Sequence, residues 1–156
     1  VAQVLRALRP DRLGHGVRVG EDPAVLRQVV AAGTGLEVCP TSNVALGVYP
    51  TLADVPLRRL MEAGARVALG ADDPLLFGSR LAAQYESART DQGLPDEALA
   101  DLARWSIEGS AAPAGVRADL LAAVDDWLSG SDPAQDDPVR AARADGGHHG
   151  RRPAPA

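Results

Sequence analysis

Four groups of residues in this 156-residue chain are of types that do chemistry. Asp72 and Asp73 stand side by side, with Pro74 after them. One carboxylate of such a pair can ligate a cation while the other accepts a hydrogen bond, and either can cap a helix that begins at the proline. His15 lies between Gly14 and Gly16. Flanking glycines let the backbone turn sharply and leave the ring uncrowded, and an imidazole that titrates near neutrality can take up or release a proton. Thr41-Ser42-Asn43 follows Cys39-Pro40; this polar run either supports a site through hydrogen bonds or forms an ordinary turn. Cys39 is the only cysteine, so there is no internal disulfide and no Cys-x-x-Cys metal site. With a proline after it and no partner nearby in sequence, it reads as a small buried residue rather than a nucleophile.

Each group closes a short apolar stretch. Arg12 to Val17, Gly35 to Cys39 and Arg66 to Gly70 read as strands, the last because Val67, Ala68 and Leu69 suit a sheet covered on both faces. Helices separate them. Val1 to Leu8 has helical spacing and stops at Arg9-Pro10. Asp22-Pro23 opens a second helix with a capping acid and a first-turn proline; Val25, Leu26, Val29 and Val30 form its inner stripe and Gly33 closes it. Val44 to Asp54 reads as an irregular connection, and Pro56 to Ala63 as a helix with Leu57, Leu60 and Met61 inward and Gly64 as its stop. Strands separated by helices imply parallel pairing in one sheet, so His15, Thr41-Ser42-Asn43 and Asp72-Asp73 all fall at the same sheet edge.

Past Phe77-Gly78 only helices are predicted: Ser79 to Ala88 with Leu81 and Tyr85 on one face, Pro95 to Gly109, and Val116 to Leu128 with Leu120, Leu121, Val124 and Trp127. From Gly130 the composition turns to Gly, Pro, Ala and charge without periodicity, which predicts a disordered tail over 130–156. His148-His149 in that tail reads as an incidental metal-binding pair without further ligands. The net charge of −5 argues against a nucleic-acid partner. No apolar run approaches the roughly 20 residues of a membrane span, and the lone cysteine fits a cytoplasmic location.

Taken together and in this order, Arg12-Leu-Gly-His15-Gly, Leu36-Glu-Val-Cys-Pro-Thr-Ser-Asn43 and Leu69-Gly-Ala-Asp72-Asp73-Pro-Leu-Leu-Phe77-Gly resemble the adenosine deaminase family of metal-dependent amidohydrolases. Arg104-Trp-Ser-Ile-Glu-Gly-Ser110 is similar to the family's closing segment, with Trp105 where asparagine is usual. The resemblance covers Val1 to about Leu128. It implies an α/β chain that forms the C-terminal part of a (β/α)8 TIM barrel, namely strands six to eight and the C-terminal helices, over residues 1–129. The implied reaction is zinc-dependent hydrolytic deamination of adenosine to inosine and ammonia, with one zinc ion and a small purine nucleoside as the partner molecule. Adenine and 6-amino-deoxyfutalosine are alternative substrates, and a truncated, non-catalytic remnant is a further alternative.

By the same resemblance Asp72 is a zinc ligand, Asp73 hydrogen-bonds a ring nitrogen of the purine, and His15 orients and deprotonates the water. The family's other elements, His-x-His and His-Ala-Gly-Glu, do not occur here; the only histidines are His15, His148 and His149. Tyr49-Pro50 replaces a common His-Pro. The chain alone is therefore expected to be inactive and unstable, while the oligomeric state stays open.

Overall fold

A computed structural model describes residues 1–130 of the chain; the remainder of the predicted tail, His148 and His149 included, lies outside the described residues. Three short strands, β1 (Arg12–Leu13), β2 (Gly35–Val38) and β3 (Val67–Leu69), form one sheet in the order β1-β2-β3. Both pairings are parallel, with Leu13 opposite Leu36, Leu36 opposite Val67 and Val38 opposite Leu69. That register collects Leu36, Val38, Val67 and Leu69 on one buried face.

The crossovers cover that face. Helix α1 (Ala2–Leu8) precedes β1, α2 (Pro23–Ala32) joins β1 to β2, and α3 (Pro40–Ala45) and α4 (Leu57–Glu62) lie between β2 and β3. Asp22 caps α2 as expected, its Oδ1 accepting from the amides of Ala24 at 2.8 Å and Val25 at 3.2 Å. Gly33 ends α2 in the left-handed region at φ 68°, where a side chain would be strained. Val29, Leu36, Val38, Leu57, Leu60 and Val67 are fully buried. Burial of a side chain of this size is worth about 2 kcal/mol, so this cluster is the main anchor of the sheet.

Four expectations need correction. The first strand stops at Leu13, and Gly16–Glu21 winds into a 3-10 helix instead of continuing to Val17. The chain passes too close to β2 for anything larger than glycine at position 16, where a Cβ would lie 2.7 Å from Leu36 Cδ2. Thr41-Ser42-Asn43 lies inside α3 rather than in a turn, because Pro40 pre-sets the first helical turn and the Gln84 side chain receives the Thr41 amide at 3.1 Å. Val44 to Asp54 is correspondingly less irregular, with α3 running to Ala45 and a 3-10 turn at Leu52–Asp54. Leu81 does not share a buried face with Tyr85: it is half exposed, and the helix buries Gln84, Ser87 and Ala88 instead.

The C-terminal helices are α5 (Pro74–Phe77), α6 (Leu81–Thr90), α7 (Asp96–Glu108) and α8 (Ala114–Leu128). α7 buries Leu99, Ala100 and Leu102. α8 packs chiefly along α7, buries no residue fully and leaves Leu120 half exposed. Arg104 links the two, its Nη1 pairing with Asp101 at 2.9 Å and its Nη2 with Asp125 at 2.6 Å; these partners, Asp125 above all, hold the guanidinium pKa above its ordinary value. No helix among the described residues is long and apolar enough to cross a membrane.

Candidate active site

The three strand ends deliver their polar residues to one place. His15 follows β1, Cys39 follows β2, and Asp72 follows β3 after Gly70 and Ala71. One ligand atom from each, an imidazole nitrogen, a sulfur and a carboxylate oxygen, lies within 4.8 Å of the other two. His15 Nε2 and Asp72 Oδ2 are 3.9 Å apart. Adjacent parallel strands sit about 4.8 Å apart, so β1 and β3, which flank β2, are about twice that apart, and His15 and Asp72 must lean inward over the end of β2 to meet.

Backbone geometry sets the aim. His15 at φ 51° and Asp72 at φ 57° both occupy the left-handed region that L-residues avoid. Such conformations cost of order 1–3 kcal/mol and persist where the surrounding fold imposes them, which is typical of functional positions. They turn the chain off the end of each strand and swing the side chain over the sheet's edge. Among the described residues the third non-glycine residue with positive φ, Arg9, caps α1.

Asp73 has a different task. It is the N-cap of α5, with Oδ1 accepting from the amides of Leu75 and Leu76, both at 3.0 Å. Both of these bonds fall on Oδ1, so Oδ2 carries neither. The acid pair thus divides its work: Asp72 enters the cluster with His15, and Asp73 holds the next helix.

Cys39 is buried, as its sequence context predicts, but it does have partners. Its sulfur lies in the cluster with His15 and Asp72. Gly70 faces it, and a Cβ there would come within 2.9 Å of Sγ. Burial pushes the thiol pKa up, and the nearby Asp72 carboxylate pushes it further. The position was invisible in the sequence because it depends on how β2 and β3 register.

Behind the cluster lies a polar brace. Gln84 is fully buried; its Oε1 receives the Thr41 amide, and its Nε2 donates to Thr41 Oγ1 at 2.8 Å and Ser79 Oγ at 2.6 Å. Ser42 Oγ donates to the Cys39 carbonyl at 3.1 Å. These bonds fix α3, and with it Cys39, to α6. The buried Asn43 Oδ1 has no hydrogen-bond partner. Tyr49 donates its hydroxyl to Glu21 Oε1 at 3.4 Å, which ties the loop after α3 to the 3-10 turn after His15. Gln84 carried no signal in the sequence, since a glutamine within a helix usually faces solvent.

The donor set suits a zinc-class ion in type, because zinc accepts imidazole nitrogen, thiolate sulfur and carboxylate oxygen. The 3.9 Å between His15 and Asp72 is slightly wider than the roughly 3.3 Å edge of a tetrahedron with zinc-like bond lengths. A catalytic zinc normally takes three protein ligands, and His15 is the only histidine among the described residues.

Comparison with known proteins identifies the family of the chain. Residues 1–127 match the sequence profile of the family described as adenosine deaminase. A Streptomyces coelicolor protein provisionally named an adenosine/adenine deaminase is 62% identical over 128 residues, which are 82% of this chain and 37% of that protein. The chain thus spans little more than a third of the length of this relative. The solved adenine deaminase of Arthrobacter aurescens superimposes with a TM-score of 0.78 at 34% identity, covering 82% of this chain and 39% of that one. An amidohydrolase from Burkholderia ambifaria, solved with bound zinc, gives a TM-score of 0.71 at 22% identity over 85% of this chain and 38% of its own, a likeness of fold. With its profile matched over 127 of 156 residues and its strand ends converging as described, the chain belongs to the adenosine deaminase family.

Proposed function

We propose that this chain supplies the C-terminal wall of a zinc-dependent 6-aminopurine deaminase, as strands six to eight and the closing helices of a (β/α)8 barrel. The observation that carries the reading is the convergence of His15, Cys39 and Asp72 from three successive parallel strands, in a chain whose first 127 residues match the family. Barrel enzymes place their chemistry at this C-terminal end of the strands.

Bound zinc would supply an acidified water, with a pKa lowered to about 7. Asp72 would hold the metal through its carboxylate. His15, with its side chain 58% exposed and its Nε2 3.9 Å from Asp72 Oδ2, would accept the water's proton and steady the nucleophile. In the net reaction the water oxygen bonds to C6 of the purine, the C6–N bond breaks, and ammonia leaves, giving the 6-oxopurine. The proton donor to the ring and the remaining metal ligands are side chains this sequence does not contain.

Asp73 meets the purine through the oxygen that the cap of α5 leaves over. As a carboxylate it accepts hydrogen bonds. The contact is open to free adenine and to the nucleoside alike; what supports adenine is that the 34% identical solved structure is an adenine deaminase.

The test is ammonia release by the full-length, zinc-loaded protein with adenine or adenosine. Turnover of adenine with the higher kcat/KM is expected, and Asp72→Ala should abolish both zinc retention and turnover. Release from adenosine alone would overturn the adenine assignment. No release from any 6-aminopurine would overturn the deaminase reading itself.

A further inference from the structure

Asp72, like His15, stands in a disfavoured backbone conformation, at φ 57°. Something must hold it there. Gly70 leads into this turn; its amide donates to the Val38 carbonyl at 2.9 Å, so the backbone is still registered against β2 at this point. Beyond Gly70 the chain leaves the sheet.

What abuts that departure point is the Cys39 sulfur. It is buried, sits where a Cβ on residue 70 would be 2.9 Å away, and lies in the same cluster as the Asp72 carboxylate. Gly70 itself does not adopt a left-handed φ, so alanine is conformationally permitted there. The space, not the backbone, requires glycine. Cys39 is in turn fixed from behind, since α3 begins at the next residue and is braced by Gln84 through Thr41.

We propose that Cys39 is a positioning residue for Asp72: its sulfur, packed against Gly70, sets the turn that aims the Asp72 carboxylate at the metal. The inference rests on the reading of Asp72 as a metal ligand. It gives Cys39 a role through contact rather than through coordination, and it explains why a glycine must face it.

The experiment is a size-exchange cycle in the full-length protein, read by zinc affinity in chelator competition and by the visible spectrum of the cobalt-substituted form. Removing a group that orients a ligand typically lowers metal affinity 10–100-fold. Cys39→Ala should weaken zinc about 10-fold and shift the cobalt d–d bands, with the melting temperature changed little. Gly70→Ala should weaken zinc at least as much, because the new methyl group displaces the sulfur or the turn. In the double variant the sulfur is gone and the methyl has room, so affinity should return to that of Cys39→Ala or better.

A double variant as impaired as the product of the two singles would overturn the proposal, as would unchanged zinc affinity and cobalt spectrum in Cys39→Ala. A sulfur-to-cobalt charge-transfer band in the unsubstituted protein that vanishes in Cys39→Ala would overturn it in favour of direct ligation. Should Gly70→Ala fail to fold, the Cys39→Ala and Cys39→Ser spectra decide: a shift in the alanine variant that serine largely restores supports positioning, and identical shifts in both count against it. Failure of the deaminase reading would look different, since the zinc-loaded unsubstituted protein would then release no ammonia from any 6-aminopurine while the zinc-affinity comparison of the variants still stands.

Discussion

At the scale of single residues, the acid pair shows how one sequence signal carries two functions. Asp73 caps α5 with Oδ1, so its replacement has a structural cost that must be separated from any effect on purine. Alanine at an N-cap costs about 1 kcal/mol, whereas asparagine caps as well as aspartate. Asp73→Asn should therefore keep the melting temperature and zinc content while raising KM for adenine, and Asp73→Ala should lower both stability and substrate affinity. Equal KM for Asp73→Asn and the unsubstituted protein would remove Asp73 from the purine site. That His15 and Asp72 meet at one end of the sheet, and that an acid before Pro74 caps a helix, was legible in the sequence because glycine flanks, an acid pair and a following proline mark these positions in residue type. The place of Cys39 was not, because contact between β2 and β3 is a matter of register, and a one-residue slip would have turned it to the opposite face.

At the scale of elements, local chemistry predicted the crossover helices well. α2 begins and ends where Asp22 and Gly33 said it should, since a cap and a stop need only neighbouring atoms. Asp22→Ala should destabilise the protein by about 1 kcal/mol and Asp22→Gly by only a few tenths, read from urea midpoints. α3 was missed for the opposite reason: the acceptor for its Thr41 amide comes from Gln84, 43 residues away in sequence. That brace sets up a sharper test. Gln84→Met nearly conserves volume but leaves the Thr41 amide without its side-chain acceptor and the Thr41 and Ser79 hydroxyls without the Gln84 donor. Each buried polar group left unsatisfied costs about 1–3 kcal/mol, so a loss of about 3 kcal/mol in urea denaturation is expected. A loss below about 0.5 kcal/mol, the range of ordinary surface changes, would mean that solvent or a rearranged α3 supplies the missing bonds.

At the scale of the molecule, the sheet is the informative feature. Within the described residues β1 and β3 each pair on one side only, leaving two free edges of the kind that barrels abolish by closing. One face of the sheet is buried, while Glu37 and Ala68 on the other are half exposed and Glu37 pairs with Arg12 at 3.4 Å. Apolar residues also stand in solvent at the end of the sheet where His15 and Asp72 converge: Leu75 is 98% exposed and Leu76 73%, just past Asp73-Pro74. A core of this size can hold the crossovers to the sheet, but it cannot satisfy open edges and an apolar rim together. The 156-residue chain on its own is therefore expected to self-associate in light scattering, to bind a hydrophobic dye, and to melt over a broad range, whereas the full-length protein should melt sharply. Leu75→Ser with Leu76→Ser should reduce dye binding without lowering the melting temperature, because neither side chain is packed. Association that persists unchanged in that variant would place the fault at the strand edges, and a charged residue introduced in β1 or β3 should then suppress it. A dye-silent monomer of the isolated chain with one sharp transition would show that the edges are protected without the rest of a barrel, and would remove the main physical reason for placing this chain inside one.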